Sequence, residues 1–288
     1  MTFLLAVVLT LTPGIDLIPG NFTPGSQPDG NTIVVRAKSG LIVFDTGRHV
    51  EHTQAIVDYA HEHHQPVVAI INSHWHLDHI GGNAMLRREF PGVKVYASGA
   101  YAGARKGFLA NYRKQLEEMI AKKPEKTFQD EIALIDAGDA LAPDVVIDSS
   151  RDVLGLELNL EKDAVTAGDV WAFDPKSRTL LAGDLVTLPV PFFDTACPAN
   201  WKTSLDRLAK VGFETLVPGH GAPMHRNDFE TYRTAFDHLV DCKGAKEECI
   251  NGWMNDAKPL IADADPKFVR AMLDYYVDQK LRGANACK

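Results

Sequence analysis

Four side chains that commonly bind metal ions lie within six residues of this sequence: His74, His76, Asp78 and His79. In an extended backbone, His74 and His76 point to the same side, so both imidazoles can bind one ion. Asp78 and His79 lie where the chain turns, and they can face a second ion. Imidazole and carboxylate donors together suit zinc, and iron or manganese also accept them. A histidine-rich surface loop is the alternative, which the density of ligand types disfavours.

The elements around this cluster are those that would hold it in place. Residues 67–71 form a short apolar run that is typical of a buried strand. Gly81-Gly82 and a short predicted helix over 83–88 follow the cluster. We therefore expect the ligands in a loop at the end of a core strand, where rigid structure presents functional side chains.

The motif resembles His-x-His-x-Asp-His, the signature of the metallo-β-lactamase superfamily. Three further stretches are similar to that family and occur in its order: Phe44-Asp45-Thr46-Gly47, Ala182-Gly183-Asp184 and Pro218-Gly219-His220-Gly221. The resemblance spans residues 41–221. It implies an α/β protein, a four-layer αββα sandwich of the metallo-β-lactamase fold with added C-terminal helices.

The same resemblance implies a zinc centre of two ions with one carboxylate bridge. The first ion would take His74 and His76, the second would take Asp78, His79 and His220, and Asp184 would bridge them. The family's first ion takes a third histidine from a His-Thr-x-Gly motif, and here that position is Val165, which cannot bind metal. Either Asp163, two residues upstream on the same side of an extended chain, replaces it, or the first site lacks a ligand.

The chemistry implied by the resemblance is hydrolysis. Zinc lowers the pKa of its bound water to about 7, and a pair of ions roughly 3.5–4 Å apart can also polarise the substrate. Asp78 is expected to orient the hydroxide and to exchange a proton with it. The prediction is a zinc-dependent hydrolase that uses a metal-bound hydroxide on an ester, thioester, lactone or amide bond of a small molecule.

Three alternatives stay open. One is a periplasmic β-lactamase-like enzyme. Another is an iron-dependent sulfur dioxygenase of the same superfamily, which Val165 disfavours because that chemistry relies on the first-site histidines. The third is a non-catalytic metal-binding accessory protein with a degraded first metal site, which Val165 favours.

Composition sets broader bounds. The chain has 288 residues and a formal net charge of −8, which allows one large domain or two small ones. The acidic balance disfavours nucleic acid as a partner, because phosphate binding needs clustered basic residues. The predicted organisation is a segment over 1–20, a core domain over 21–225 and a helical extension over 226–288.

The segment at 3–11 is an apolar run of signal-peptide length, but no basic residue precedes it and no Ala-x-Ala site follows it. It is therefore either an export signal or a first buried strand, and it is too short to span a bilayer. Cys242 and Cys249 close a short loop that suits a disulfide in an oxidising compartment; reduced thiols in a cytosolic enzyme are the alternative. Together these features favour a periplasmic or secreted protein over a cytoplasmic one, with no stable membrane insertion of the mature chain.

Other patterns predict the remaining elements. Residues 49–64 form an amphipathic helical pattern whose five histidines are expected mostly on its solvated face. Residues 100–123 read as one long helix, and 124–145 as a mixed connection. Leucines alternate over 154–160, which predicts a half-buried strand. Residues 188–201 form a proline-containing loop, and helices are expected from 228 onward.

Overall fold

The structure is a computed structural model that describes residues 7–22, 27–282 and 287. Backbone contacts divide the chain into two compact units, Met1–Ser149 and Ser150–Lys288. Each unit is built around its own β-sheet, and all the strand pairs join partners of the same unit.

The first unit contains a seven-stranded sheet whose strands lie in sequence order. The first four strands are antiparallel and the later pairs are parallel, which places the ends of β4, β5 and β6 at one edge. The strands are β1 Leu9–Thr12, β2 Ile15–Ile18, β3 Thr32–Ala37, β4 Gly40–Phe44, β5 Val67–Ile71, β6 Lys94–Ala97 and β7 Val145–Val146.

Helices of the first unit connect and flank these strands. They are α1 Val50–Glu62, α2 Leu77–Ile80, α3 Asn83–Glu89, α4 Ala100–Lys106, α5 Phe108–Lys122 and α6 Lys126–Asp136, followed by a 3-10 turn at Gly138–Leu141. The core forms because β4 and β5 are apolar throughout: Ile42, Val43, Phe44, Ile70 and Ile71 are fully buried.

The second unit contains a five-stranded sheet in the order β12-β11-β10-β9-β8. Its strands are β8 Arg151–Val153, β9 Leu156–Glu161, β10 Asp169–Asp174, β11 Thr179–Thr187 and β12 Thr215–His220. Its helices are α7 Pro198–Leu208, α8 Arg226–Asp241, α9 Lys246–Asp256 and α10 Pro266–Tyr276, which continues into a π-helical turn at Val277–Leu281. Stacked aromatic rings fill the core, among them Phe193, Trp201, Phe236 and Tyr276.

Several sequence predictions need correction. The helix predicted over 100–123 is interrupted at Gly107, whose φ of −105° and ψ of −97° lie outside the helical region. The connection predicted over 124–145 contains α6, an 11-residue helix. Of the histidines in the helix predicted over 49–64, His61, His63 and His64 are exposed as predicted, but His52 is 8% exposed and its Nε2 lies 2.8 Å from the Thr32 hydroxyl.

At the start of the chain, Leu9–Thr12 forms a strand, as one of the two alternatives predicted, but its residues are exposed or half-buried. Residues 3–6 of that apolar run lie outside the described residues. Among the residues described, no helix combines the length and apolarity needed to cross a membrane.

Two disulfides close loops in the second unit. The predicted Cys242–Cys249 pair is confirmed, and Cys197 pairs with Cys287. The first pair spans 7 residues and the second spans 90. The longer loop removes more entropy from the unfolded chain, so this bond should contribute more to stability.

Cys287→Ser should therefore destabilise the oxidised protein more than Cys242→Ser. In the chain-entropy model the losses are about 4–5 kcal/mol for the long loop and about 2–3 kcal/mol for the short one, as upper values. Urea unfolding of both variants under non-reducing conditions measures them. An equal or smaller loss for Cys287→Ser would contradict the loop-length argument.

Candidate metal centre

The ligand loop of the first unit begins directly after β5 and runs into α2. The side chains of His74, His76, Asp78 and His79 are all buried, with residue exposures of 2%, 8%, 7% and 0%. The ring centroids of His74 and His76 lie 4.4 Å apart, and those of His74 and His79 lie 4.3 Å apart. The predicted convergence of these four side chains is therefore present within this unit.

Asp45, at the end of β4, organises this loop. Its Oδ1 accepts a hydrogen bond from the Ser73 backbone N–H at 2.7 Å, and its Oδ2 accepts one from the Ser73 hydroxyl at 2.7 Å. The same Oδ2 lies 2.8 Å from Nδ1 of His79, so Nε2 is the His79 nitrogen that can bind a metal. Burial raises the pKa of Asp45, and the neighbouring His79 and Ser73 partly offset that rise.

Two backbone hydrogen bonds, from Gly30 and from Thr46, also hold the ligand loop. The Gly30 N–H donates to the carbonyl of Asp78 at 2.9 Å, and the Thr46 N–H donates to the carbonyl of His79 at 2.8 Å. A Cβ at position 30 would lie 2.5 Å from Cε1 of His79 and 2.7 Å from its Nδ1. Gly30 is thus required for this close approach, and the sequence pattern gave no sign of it beyond a turn-forming Asp-Gly pair.

Arg48 is a charged neighbour of the ligands that the sequence analysis missed. Its side chain is only 10% exposed, Nη1 lies 2.5 Å from Oε2 of Glu131, and Nη2 lies 3.6 Å from Oδ1 of Asp78. Burial lowers the pKa of the guanidinium, but the carboxylates of Asp78 and Glu131 raise it by more. The net shift of the pKa is therefore upward. The available signal was a basic residue directly after the Asp-Thr-Gly stretch.

The second unit holds Asp184 on β11 and His220 at the end of β12. Because these strands are parallel neighbours, the two side chains lie side by side, with His220 Nε2 3.7 Å from Asp184 Oδ1. Asp184 is 4% exposed. A Cβ at Gly219 would overlap Asp184 Oδ1, which explains the glycine before His220.

The Val165 region differs from the ligand pattern of the family. Val165 is fully buried in the apolar core of the second unit. Asp163 is exposed in a left-handed turn with φ of 51°, and no candidate ligand group among the described residues includes it. The structure therefore lends Asp163 no support as a ligand, and that assignment stays a prediction.

Asp169, four residues after Val165, is a buried carboxylate that sequence reasoning did not single out. It accepts hydrogen bonds from the backbone N–H groups of Val165 and Thr166 and from the Thr166 hydroxyl. Burial raises the pKa of Asp169 to about 7, although these hydrogen bonds lower it. The negative charge of Asp184 adds to the rise. These contacts fix the turn where the family's histidine would lie.

The donor types at these positions fit a metal ion. The first unit supplies three buried imidazoles and the Asp78 carboxylate, and the second unit supplies His220 and the Asp184 carboxylate. Two ring nitrogens of the first unit already have partners that fix their tautomers. This outer arrangement is typical of histidines that bind zinc through the other nitrogen.

Comparisons with known proteins identify the family. The sequence profile of the metallo-beta-lactamase superfamily matches residues 26–245, so the chain belongs to that superfamily. A linear primary-alkylsulfatase from Pseudomonas sp. is 25% identical over 220 residues, which are 66% of this chain and 41% of that protein. This chain thus spans less than half the length of that curated relative.

Solved structures have the same fold. The metallo-beta-lactamase FIM-1 from Pseudomonas aeruginosa, in a mono-zinc form, is similar with a TM-score of 0.59 and 19% identity, over 80% of this chain and 94% of that one. The inverting sec-alkylsulfatase Pisa1 from Pseudomonas sp. gives 0.60 and 22%, over 85% of this chain and 43% of that one. The predicted fold class, that of the metallo-β-lactamase fold, is confirmed.

Gly30→Ala should disturb His79 and its hydrogen bond to Asp45, because the added methyl group has no room. We expect a loss of about 1–3 kcal/mol in unfolding free energy, typical of overpacking, together with reduced zinc content. Urea unfolding and metal analysis of the purified variant measure both.

Gly103→Ala is the matched control, since a Cβ at this helical position would meet nothing within 4 Å. It should be neutral or stabilising by up to about 1 kcal/mol. Equal behaviour of the two variants would show that His79 does not need the space at Gly30.

Proposed function

We propose that this protein is a metal-dependent hydrolase whose centre holds two ions, zinc being the best fit. By the family resemblance, His74 and His76 would bind the first ion, Asp78, His79 and His220 would bind the second, and Asp184 would bridge the two. Membership of the superfamily and the buried imidazole and carboxylate donors support this proposal. The observation that carries it is the convergence of four buried ligand side chains within six residues of the first unit.

The bound ions would supply a nucleophile at neutral pH and would polarise the bond under attack. The protein's own residues prepare that chemistry. Asp45 fixes the His79 tautomer through Nδ1, and the Ser73 hydroxyl, 2.9 Å from Nδ1 of His74, does the same for that ring. Asp78, with a carboxylate oxygen 3.6 Å from His79 Nε2, is positioned to orient a water molecule and to exchange its proton.

The proposed substrate is a small molecule with an ester, thioester, lactone or amide bond. An exposed aromatic side chain, Phe108, lies near the ligands in the first unit and packs on the buried ring of Trp75. Trp75 lies between the first two histidines in sequence, its ring centroid 4.6 Å from that of His76 and 5.3 Å from that of Phe108. Phe108 is 42% exposed, which suits contact with an alkyl or aryl group of a substrate.

A second candidate is hydrolysis of a sulfate ester. The similarity to a linear primary-alkylsulfatase favours it, and an alkyl chain would suit contact with the exposed ring of Phe108. The matched region is 41% of that relative, so its activity comes to this chain only as a candidate. Both candidates use the same metal ligands and differ only in the bond that is cleaved.

Metal content tests the proposed centre. His76→Ala should lower bound zinc and hydrolytic activity together, because it removes one of the donors proposed for the first ion. His64→Ala is the matched control, since this histidine is exposed at the end of α1 and should retain full metal content. Full zinc occupancy in His76→Ala would overturn the assignment.

A substrate screen tests the proposed activity. Purified zinc-loaded protein would be offered aryl esters, thioesters, lactones, a chromogenic cephalosporin, and alkyl and aryl sulfates. Turnover of the carbonyl substrates supports the first candidate, and turnover of the sulfates supports the second. One bound ion or none, without turnover of any substrate, would favour the accessory-protein alternative.

A further inference from the structure

We propose that Arg48 is a positioning residue for the metal ligand Asp78, and that Glu131 on α6 holds Arg48 in place. The inference rests on the proposed metal centre and goes beyond it, because neither residue belongs to a candidate ligand group. All three residues lie in the first unit, and the contacts between them cross long stretches of sequence.

The guanidinium group of Arg48 uses each of its three nitrogens. Nε donates to the carbonyl of Pro28 at 3.2 Å, Nη1 to Oε2 of Glu131 at 2.5 Å, and Nη2 lies 3.6 Å from Oδ1 of Asp78. A planar fork held at two points has little freedom to turn, so the third nitrogen stays directed at Asp78.

The two oxygens of Asp78 consequently have different neighbours. Oδ1 faces Arg48, and Oδ2 lies 3.6 Å from Nε2 of His79, the nitrogen proposed to bind metal. A carboxylate that binds zinc through one oxygen commonly has the other oxygen held by a donor of the protein. Arg48 therefore keeps Oδ2 directed at the ion and keeps Oδ1 away from it.

Glu131 extends this arrangement to the helical segment after β6. Its side chain is 10% exposed, and the Tyr112 hydroxyl on α5 donates to the same Oε2 at 3.4 Å. Without Glu131, Arg48 would be a buried cation with one carboxylate partner, and it would pair more closely with Asp78 in competition with the metal. The helices α5 and α6 thus act on the ligand through Arg48.

Recognition of a substrate anion by Arg48 is disfavoured by the same contacts. Every nitrogen already faces a protein oxygen, and two carboxylates lie beside the single positive charge. The other alternative is that Arg48 only neutralises the negative charges of Asp78 and Glu131. Arg48→Lys distinguishes this role from positioning, because lysine keeps the positive charge but cannot contact both carboxylates and the Pro28 carbonyl from one nitrogen.

The experiment measures binding of Zn²⁺ and Co²⁺ alone, without substrate. Arg48→Lys should weaken the affinity of the Asp78-dependent ion, measured by chelator competition, by about tenfold or more, as is usual for partners of metal ligands. The absorption spectrum of the Co²⁺ form should change as well. Glu131→Gln should weaken affinity by a smaller factor, and the double variant should be no worse than Arg48→Lys, because both changes act through one contact.

Arg87→Lys is the matched control. Arg87 also uses Nε and both terminal nitrogens, on the carbonyls of Ala140 and Ala142 and on Asp144 at 2.9 Å, but it contacts no candidate ligand. It should leave metal affinity and the Co²⁺ spectrum unchanged. A loss of affinity equal to that of Arg48→Lys would overturn the positioning role.

Wild-type affinity and spectrum in a folded Arg48→Lys variant would overturn the inference and leave the metal centre intact. If Arg48→Lys does not fold, Glu131→Gln decides in the same way: an unchanged affinity and spectrum overturn the inference, and a weakened affinity with a changed spectrum supports it. Failure of the wild-type protein to bind two equivalents of Co²⁺ would overturn the proposed metal centre, and the inference with it.

Discussion

The buried carboxylate of Asp45 is the contact on which the ligand loop depends. It accepts hydrogen bonds from the backbone and hydroxyl of Ser73 and pairs with His79, so one side chain fixes both ends of the loop. The parallel pairing of β4 and β5 makes this contact available, because it places the ends of both strands at the same edge of the sheet. Asp45 lies in the left-handed region, with φ of 60°, which directs its carboxylate at the loop.

This edge of the sheet concentrates groups that are costly to bury. Asp45 is fully buried, and Asp78 and Glu131 are nearly so. Buried carboxylates need cations or hydrogen-bond donors within reach, because ionised groups lose their hydration on burial. Arg48 supplies one such cation for Asp78 and Glu131, and the proposed ions would supply the remainder. The burial that raises the pKa of Asp45 is thus the same property that suits the site to bind cations.

In the second unit, strand pairing places the two candidate ligands beside each other. Asp184 and His220 come from neighbouring parallel strands, and Gly219 leaves the space that the Asp184 carboxylate occupies. Where the family has a further histidine, the chain has Val165, which packs in the apolar core. Asp169 fixes the surrounding turn, because it accepts hydrogen bonds from the backbone N–H groups of Val165 and Thr166.

The sequence by itself determined the ligand loop, its strand and the fold class. The fold class came from the resemblance to the metallo-β-lactamase superfamily. The loop and its strand depend on local spacing: an apolar run ending at Ile71, then ligand types at intervals that an extended chain and a turn can direct to one point. The C-terminal helices and the Cys242–Cys249 pair were predictable for the same reason, since each depends on residues close together in the chain.

Only the tertiary structure decided the contacts between distant residues. Asp45 and His79 are 34 residues apart, Arg48 and Glu131 are 83 apart, and Cys197 and Cys287 are 90 apart. No local pattern encodes such pairs, because they arise from strand order and helix packing. The break at Gly107, the burial of His52 and the exposure of Asp163 have the same origin: the surroundings of each residue, which its neighbours in sequence do not specify, set its conformation and its access to solvent.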